Sequence, residues 1–181
     1  MDTGEIHIIT GPMYSGKTSE IQKIINKYKI LDVQQIIFNH SIDTRYGEGK
    51  IYSHDKHGID CIQTDTLLSF IDNDLYKEST IVIIDEAHFF TDLREFVLDS
   101  CYKYNKRVYV AGLNGDFERK QIGDILSLVS ECDTITKLSA LCTICKDGTP
   151  AIFSKRITES TDTILVGSDK DYISVCRKHH L

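Results

Sequence analysis

The string GPMYSGKT, residues 11–18, constrains the fold of this chain more than any other feature. It follows EIHIIT at residues 5–10, which is apolar enough for a short buried strand. The residues after it carry apolar side chains at helical spacing, namely Ile21, Ile24, Ile25, Tyr28 and Leu31. The string has the P-loop pattern, which requires a strand before it and a helix after it. A plain glycine turn is the alternative, and the strand–loop–helix context favours the P-loop.

Each residue type in this pattern has a chemical reason. Gly11 and Gly16 allow backbone N–H groups to turn inward around a phosphate, and the N-terminus of the following helix adds its dipole. Lys17 offers a positive charge to the β- and γ-phosphates, and the Thr18 hydroxyl can ligate Mg²⁺. The string therefore predicts a site for a nucleoside triphosphate with magnesium.

Apolar segments recur along the first 140 residues and predict a sheet. Strands are expected at 5–10, 34–39, 59–64, 80–86, 107–113 and 133–140. Helices are expected after the P-loop and at 93–105, whereas the polar, glycine-bearing stretch at 41–58 is expected to be a long loop. Strands that alternate with helices indicate an α/β fold whose parallel sheet is covered by helices on both faces.

Two acids end the most apolar of these strands, in the sequence IVIIDEAHFF. A P-loop needs an acid at the end of a neighbouring strand to hold Mg²⁺, and Asp85 is the natural ligand. Glu86 follows at once and can act as a general base on an attacking hydroxyl or water. A strand that simply ends in two solvated acids is the alternative. Because the chain also has a P-loop, two acids that serve phosphoryl transfer or NTP hydrolysis are the better interpretation.

The charge balance limits the partners of the chain. With 21 basic and 27 acidic residues the formal net charge is −6, so the basic excess typical of proteins that bind nucleic-acid polymers is missing. The first residues lack the basic and apolar regions of a signal peptide, and no apolar run approaches the roughly 20 residues that span a bilayer. We therefore expect no membrane association and a cytoplasmic location.

Six cysteines in a cytosolic chain indicate metal ligands or inert thiols rather than disulfides. Cys142 and Cys145 have zinc-knuckle spacing, and Cys176 precedes His179 by three residues. Together they predict a Cys₃His tetrahedron for a structural Zn²⁺, because four protein ligands leave no open position. His180 is the less favoured fourth ligand. The remaining thiols are expected to be small buried apolar groups: Cys61, Cys101 and Cys132.

The order of motifs along the chain resembles that of the type II thymidine kinases. The set comprises the N-terminal P-loop, DTRYG, DEAHFF, AGLNGDF, the CxxC pair, SKR and GSDKDYISVCRK, and it runs from about residue 5 to 179. The SVCRK ending is most similar to poxvirus-type members. The resemblance implies a RecA-like P-loop kinase domain at 1–140 and a zinc-binding lasso domain at 141–181. It also implies transfer of the ATP γ-phosphoryl group to the 5′-hydroxyl of thymidine, with Mg²⁺.

The resemblance also assigns roles on the phosphate side. Glu86 aligns with the proton acceptor for the 5′-hydroxyl, and Arg45 with an arginine near the transferring phosphate, whose planar fork suits spreading negative charge. Asp43 is the orienting partner of Arg45. Thr18 and Asp85 hold Mg²⁺. The ATP cradle consists of Gly11, Pro12, Met13, Tyr14, Ser15, Gly16, Lys17 and Thr18.

On the nucleoside side, the resemblance implies a pocket closed by a loop between the two pairs of zinc ligands. Met13 aligns with a methionine near the thymine methyl group. The apolar base contacts are Phe89, Leu113 and Phe117, and Tyr172 aligns with a further contact. The loop reads the base edge with its main chain at Thr163, Ile164, Leu165, Val166 and Gly167. Relatives also suggest feedback inhibition by thymidine triphosphate and a homotetramer.

The sequence departs from the family pattern at DEAH, where many animal and poxvirus members have DEGQ, and this leaves the role of His88 open. DEAH is also the spelling of a helicase box, so a nucleic-acid motor is an alternative. It is disfavoured because such a helicase needs two motor cores and this acidic chain holds one. A zinc-bearing interaction module with a regulatory nucleotide site is a third hypothesis, and Glu86 argues against it.

Overall fold

The computed structural model describes residues 3–43, 50–52, 58–158 and 171–181. Its strands are β1 (Glu5–Thr10), β2 (Gln35–His40), β3 (Lys50–Tyr52), β4 (Gly58–Asp60), β5 (Ile62–Thr64), β6 (Ile81–Ile84), β7 (Arg107–Gly112), β8 (Thr134–Lys137), β9 (Ala140–Leu141), β10 (Pro150–Ala151), β11 (Phe153–Arg156) and β12 (Tyr172–Val175). Its α-helices are α1 (Lys17–Ile30), α2 (Asp74–Glu78), α3 (Leu93–Tyr102) and α4 (Arg177–His180). Short 3₁₀ turns lie at Leu68–Phe70, Ala87–Phe89 and Ile125–Leu128.

Six parallel strands form the central sheet in the order β5-β2-β6-β7-β1-β8. Strand β7 lies between β1, which leads into the P-loop, and β6, which leads into the two acids. In this register Thr10 is opposite Gly112 and Ile84 is opposite Val110. The carboxyl ends of all three strands therefore meet at one edge, where parallel α/β sheets bind ligands.

Helices cover both faces of this sheet, which confirms the predicted α/β fold. On one face, Ile21 and Ile25 of α1 pack on Ile9 and Ile83 of the strands. The other face carries the larger core, in which α3 contributes its buried apolar side chains to a cluster with β1, β2, β6 and β7. Successive strand residues alternate between the two cores, as the pleat of a strand requires.

The structure corrects several predicted boundaries. The stretch at 41–58 contains strand β3, which pairs antiparallel with β4 and is too short to leave an apolar pattern. The predicted strand at 59–64 is divided between β4 and β5, and the one at 133–140 between β8 and β9. Leu31, assigned to the apolar face of α1, is 62% exposed because the helix ends before it. Cys101 is buried as predicted, whereas Cys61 and Cys132 are only partly buried.

A small separate core follows the sheet. Strand β9 pairs with β10 and β11 pairs with β12, both antiparallel. Their buried side chains form a cluster that includes Ala140, Ala151 and Val175 together with the thiols of Cys142 and Cys176. With so little apolar area, this core needs a further constraint such as a metal.

An ion pair joins the beginnings of β1 and β7. Arg107 donates from Nε and Nη2 to the two carboxylate oxygens of Glu5, each over 2.7 Å, and from Nη1 to the Tyr28 hydroxyl of α1 over 2.9 Å. The hydrogen bonds from Arg107 lower the pKa of the Glu5 carboxyl below its ordinary value. The contact thus ties two sheet strands to the helix that follows the P-loop.

Among the residues that the structure describes, no helix has the length and apolar character needed to span a bilayer.

Candidate active site and metal centre

The P-loop lies between β1 and α1, as the sequence predicted, and its glycines fill two different requirements. A Cβ atom on Gly11 would lie 2.6 Å from the Leu138 carbonyl oxygen and 2.7 Å from Ser15 Oγ, so only glycine fits there. Gly16 has φ of +85° and open space around the position of a Cβ, so its backbone conformation is what requires glycine. Both features shape a loop whose backbone can approach a phosphate closely.

Lys17 lies inside this loop. Its side chain is buried, and its ammonium group donates to the carbonyl oxygens of Pro12 over 2.8 Å and Gly11 over 3.3 Å. The Ser15 hydroxyl is also buried and has no hydrogen-bond partner among the described residues. A buried cation and an unsatisfied hydroxyl in one loop fit an anionic oxygen of a ligand.

Thr18 and Asp85 meet across β7. The Thr18 hydroxyl donates to Asp85 Oδ2 over 3.2 Å, and the Glu86 N–H donates to Asp85 Oδ1 over 2.9 Å. Two oxygen ligands of an octahedral Mg²⁺ lie about 2.9 Å apart, so this pair has the spacing for a single ion. Asp85 is 3% exposed, and its N–H donates to the Phe38 carbonyl, which fixes the carboxylate at the end of β6.

Glu86 begins the turn at Ala87–Phe89 and has a left-handed backbone with φ of 49°. This conformation is unusual for a residue other than glycine and is concentrated at functional sites. Glu86 Oε2 lies 3.6 Å from Nδ1 of His88, whose side chain is 1% exposed. The same Nδ1 accepts from the Leu113 N–H over 3.3 Å, so this nitrogen carries no proton in that arrangement. His88 therefore binds the main chain at the end of β7 and lies beside the predicted base without donating to it from Nδ1.

Asp43 is buried beside this edge of the sheet. Asn39 Nδ2 donates to Asp43 Oδ2 and Gln63 Nε2 donates to its carbonyl, each over 3.3 Å. Burial, together with the negative charges of Asp85 and Asp43, raises the pKa of the nearby Cys61 thiol to about 12. Cys61 is therefore a neutral thiol and no nucleophile. Arg45, the predicted partner of Asp43, lies outside the described residues.

The predicted nucleoside contacts occupy the same edge of the sheet in three groups. The centre of the Phe89 ring lies 4.1 Å from that of His88 with the rings tilted by 40°, and His88 Nδ1 accepts from the Leu113 N–H. The Arg156 guanidinium lies 3.9 Å from the ring centre of Phe117 and 5.1 Å from that of Tyr172, so it makes cation–π contacts with both. The Met13 N–H donates to Ser154 Oγ of β11 over 3.0 Å. The remaining predicted contacts lie outside the described residues: Thr163, Ile164, Leu165, Val166 and Gly167.

Cys142, Cys145, Cys176 and His179 form one cluster, with all four ligand atoms within 4.8 Å of one another. The Cys145 and Cys176 sulfurs are 3.8 Å apart, and His179 Nδ1 is 3.3–3.6 Å from the three sulfurs. A tetrahedral Zn²⁺ with ordinary bond lengths places its sulfurs about 3.8 Å apart and sulfur and nitrogen about 3.5 Å apart. The cluster therefore fits zinc, and the thiols are free of disulfides.

The surroundings of the Cys142 thiol favour its thiolate form. Burial opposes its ionisation, but the N–H groups of Cys145 and Cys176 and the His179 imidazole outweigh burial and lower the pKa of Cys142 to about 5. Burial and the Cys142 side chain raise the pKa of the neighbouring Cys145 thiol to about 11, so one thiolate of the pair forms first. Zinc binds the thiolate form, so metal binding would release the remaining thiol protons.

The two adjacent histidines make different contacts. His179 contributes Nδ1 to the cluster, whereas His180 Nε2 lies 3.0 Å from the Phe117 carbonyl oxygen and its ring packs edge-on against Phe153 at 5.0 Å. The structure therefore places His179, and not His180, within the cluster, and His180 is directed to the loop after β7.

Sequence reasoning missed three side chains that connect these parts, namely Ser154, Arg156 and His180. The SKR string was recognised as part of an ordered set of motifs, but an alternating strand pattern does not reveal which loops its side chains meet. For His180, the available signal was that two histidines stand side by side and that His179 has the spacing of a metal ligand, which leaves His180 for another contact.

The parallel sheet, the loop after β1 and the acid at the end of β6 define an α/β protein of the P-loop class, with an added Cys₃His cluster. The model of the thymidine kinase family matches residues 4–180. The chain belongs to the thymidine kinase family.

Relatives of known name extend over nearly the whole chain. The thymidine kinase of fowlpox virus (strain NVSL) is 39% identical over 181 residues, which cover 98% of this chain and 97% of the viral protein. Thymidine kinase a of Arabidopsis thaliana is 38% identical over 183 residues, covering 99% of this chain and 76% of the plant protein. The thymidine kinase of vaccinia virus (strain Western Reserve) is 34% identical over 181 residues.

Proposed function

We propose that this protein transfers the γ-phosphoryl group of ATP to the 5′-hydroxyl of thymidine and so makes thymidylate. One observation carries the proposal: Thr18 and Asp85 meet at 3.2 Å beside Glu86, in a chain of the thymidine kinase family. This arrangement joins a phosphate cradle, an oxygen pair for a metal and the Glu86 carboxylate at one edge of the sheet.

On the donor side, residues 11–18 bind the triphosphate. Lys17 exchanges its carbonyl partners Gly11 and Pro12 for phosphate oxygens, and the Ser15 hydroxyl gains a partner. Thr18 and Asp85 would hold Mg²⁺, which would neutralise phosphate charge when bound. Because little covalent chemistry is needed in phosphoryl transfer, these residues act mainly by position and charge.

On the acceptor side, Glu86 accepts the proton of the 5′-hydroxyl while the hydroxyl oxygen attacks the γ-phosphorus of ATP. Its side chain is 13% exposed, and the left-handed backbone turns it away from the strand direction. His88 keeps an unprotonated nitrogen toward Glu86, so it does not neutralise the base by donating a proton. Arg45, oriented by Asp43, spreads the charge on the transferred group.

The nucleoside lies between the strand ends and a C-terminal lasso domain. We assign residues 1–140 to the kinase domain and 141–181 to the zinc-binding domain. Met13, Phe89, Leu113, Phe117 and Tyr172 surround the base, and the main chain at Thr163–Gly167 reads its edge. The zinc is structural, because its four protein ligands leave no open position.

Two further properties belong to the same proposal. Thymidine triphosphate inhibits as a feedback ligand that occupies both the nucleoside site and the phosphate cradle. The active form is a homotetramer in the cytoplasm. Membership of the thymidine kinase family supports these proposals, and gel filtration with light scattering tests the oligomeric state directly.

A panel of nucleosides tests the proposal. Purified protein with MgATP is offered thymidine, deoxyuridine, deoxycytidine and deoxyadenosine, and the monophosphate products are separated by chromatography. We expect thymidylate as the main product, with inhibition by thymidine triphosphate. Efficient use of another nucleoside with no thymidylate would contradict the substrate assignment.

A further inference from the structure

We infer that Arg156 and His180 of the zinc-binding segment are positioning residues that hold Phe117 in place for the nucleoside. The inference rests on the proposed function and deepens it. We call Arg156, His180 and Phe117 the Phe117 clamp. Neither Arg156 nor His180 is needed for the phosphate cradle or the metal cluster.

Arg156 holds the side chain of Phe117. The guanidinium carbon lies 3.9 Å from the centre of the Phe117 ring, a cation–π contact at close range. Arg156 Nε donates to the Tyr172 hydroxyl over 3.1 Å, and Nη2 donates to the same oxygen. The planar guanidinium is thereby fixed between two rings that are both predicted to contact the nucleoside. Lysine cannot reproduce this planar, forked geometry.

His180 holds the backbone of Phe117. Its Nε2 lies 3.0 Å from the Phe117 carbonyl oxygen, so Nε2 carries the proton and donates. The ring is itself oriented by Phe153, which it meets edge-on at 5.0 Å. A side-chain stack and a main-chain hydrogen bond thus reach the same residue from two different elements, β11 and α4.

The turn that carries Phe117 is rigid enough to transmit this constraint. Asp116 Oδ1 accepts from the N–H groups of Glu118 and Lys120, each over 2.8 Å, and the Asp116 N–H donates to the Lys120 carbonyl over 2.9 Å. These bonds fix the turn internally, and the clamp fixes it to the zinc-binding segment.

The clamp couples the metal cluster to the nucleoside site. His179 is a ligand of the cluster and His180 is the next residue of the same short helix, α4. Lys155, between Ser154 and Arg156, donates to the His179 carbonyl over 2.8 Å. The residues that hold Phe117 therefore lie directly beside the metal cluster, on β11 and α4.

The first test compares His180→Ala with His180→Gln. Glutamine keeps an N–H donor for the Phe117 carbonyl, whereas alanine removes it. Loss of one such bond corresponds to roughly a tenfold rise in the KM for thymidine. We expect that rise for His180→Ala, partial recovery for His180→Gln, and an unchanged KM for ATP, zinc content and melting temperature in both.

The second test compares Arg156→Lys with Arg156→Met under the same assays. We expect both to raise the KM for thymidine, since neither provides a planar fork, while the KM for ATP stays constant. Unchanged thymidine KM in all four variants of an active enzyme would overturn the clamp. Equal zinc loss in both His180 variants would also overturn it, because His180 would then act on the metal. A wild type that phosphorylates no nucleoside would instead reject the proposed function.

Discussion

At the residue scale, Glu86 combines three properties that together indicate a functional carboxylate. It follows the metal-side acid directly, adopts a left-handed backbone and lies beside a buried histidine whose Nδ1 accepts a hydrogen bond from the main chain. Such a carboxylate is held in a fixed position and remains able to accept a proton. These features distinguish Glu86 from a solvated acid at a strand end.

We predict that Glu86→Gln loses most of the transfer rate and keeps ATP binding. Glutamine preserves size but cannot accept the hydroxyl proton, so kcat should fall by about 10²–10⁴-fold. Single-turnover kinetics measures the rate, and calorimetry measures the dissociation constant of MgATP. The matched control is Glu118→Gln, an exposed glutamate paired with Lys120, which should retain the wild-type rate. An unchanged rate for Glu86→Gln would reject the base assignment.

Individual site residues could be predicted from the sequence where a local pattern encodes their chemistry. Lys17, Thr18 and Asp85 belong to such patterns, and the structure brings them together. Arg156 and His180 do not, because their partner Phe117 is distant in sequence and its approach depends on how the small C-terminal core packs on the loop after β7.

At the scale of elements, the Glu5–Arg107 pair joins β1, β7 and α1. We predict that Glu5→Gln destabilises the protein by about 1 kcal/mol at neutral pH, since the carboxylate is about one-third exposed and solvent screens part of the attraction. Its pKa is lower in the folded protein than its ordinary value of about 4.3, so this contribution is present above that pH.

The pH dependence of unfolding checks this sign. As pH falls through the folded pKa of Glu5, the wild-type carboxylate becomes protonated and the stability difference from Glu5→Gln should disappear. Urea denaturation between pH 3 and 7 measures it. Glu78→Gln, at an exposed acid in α2, serves as the control. A difference that grows on acidification would contradict the assigned role of the ion pair.

The zinc-binding segment gives the second prediction at this scale. Cys142→Ser removes one thiolate from the cluster, so the zinc content should fall well below one ion per chain. The small core around Ala140 and Val175 should then loosen, and the KM for thymidine should rise through the Phe117 clamp. Elemental analysis measures the metal. Cys132→Ser, outside the cluster, should keep full zinc content, and equal losses in the two variants would contradict the assigned ligands.

Elements with continuous apolar runs could be predicted and shorter ones could not. Residues 80–86 were expected as a strand and contain β6, because four consecutive buried side chains leave an unmistakable run. The pairing of β3 with β4 was missed, since three-residue strands contain too few alternations to show a period. Their formation depends on partners rather than on local propensity.

At the scale of the whole molecule, strand order creates the site. The P-loop and the acids are 67 residues apart in sequence at Thr18 and Asp85, yet they meet because β7 alone separates β1 from β6. The sequence predicted a parallel sheet but not this order, since non-local pairing leaves no trace in one strand. The same order places Leu113, which follows β7, between the strand that leads into the P-loop and the strand that leads into the two acids.

Release of ADP with different acceptors tests the central claim most directly. Purified protein with MgATP is assayed alone, with thymidine, and with single-stranded DNA or RNA. We predict that thymidine accelerates ADP release and that each ADP is matched by one thymidylate, whereas polynucleotides have no effect. ADP release that is stimulated by polynucleotide, with no thymidylate formed, would contradict the account.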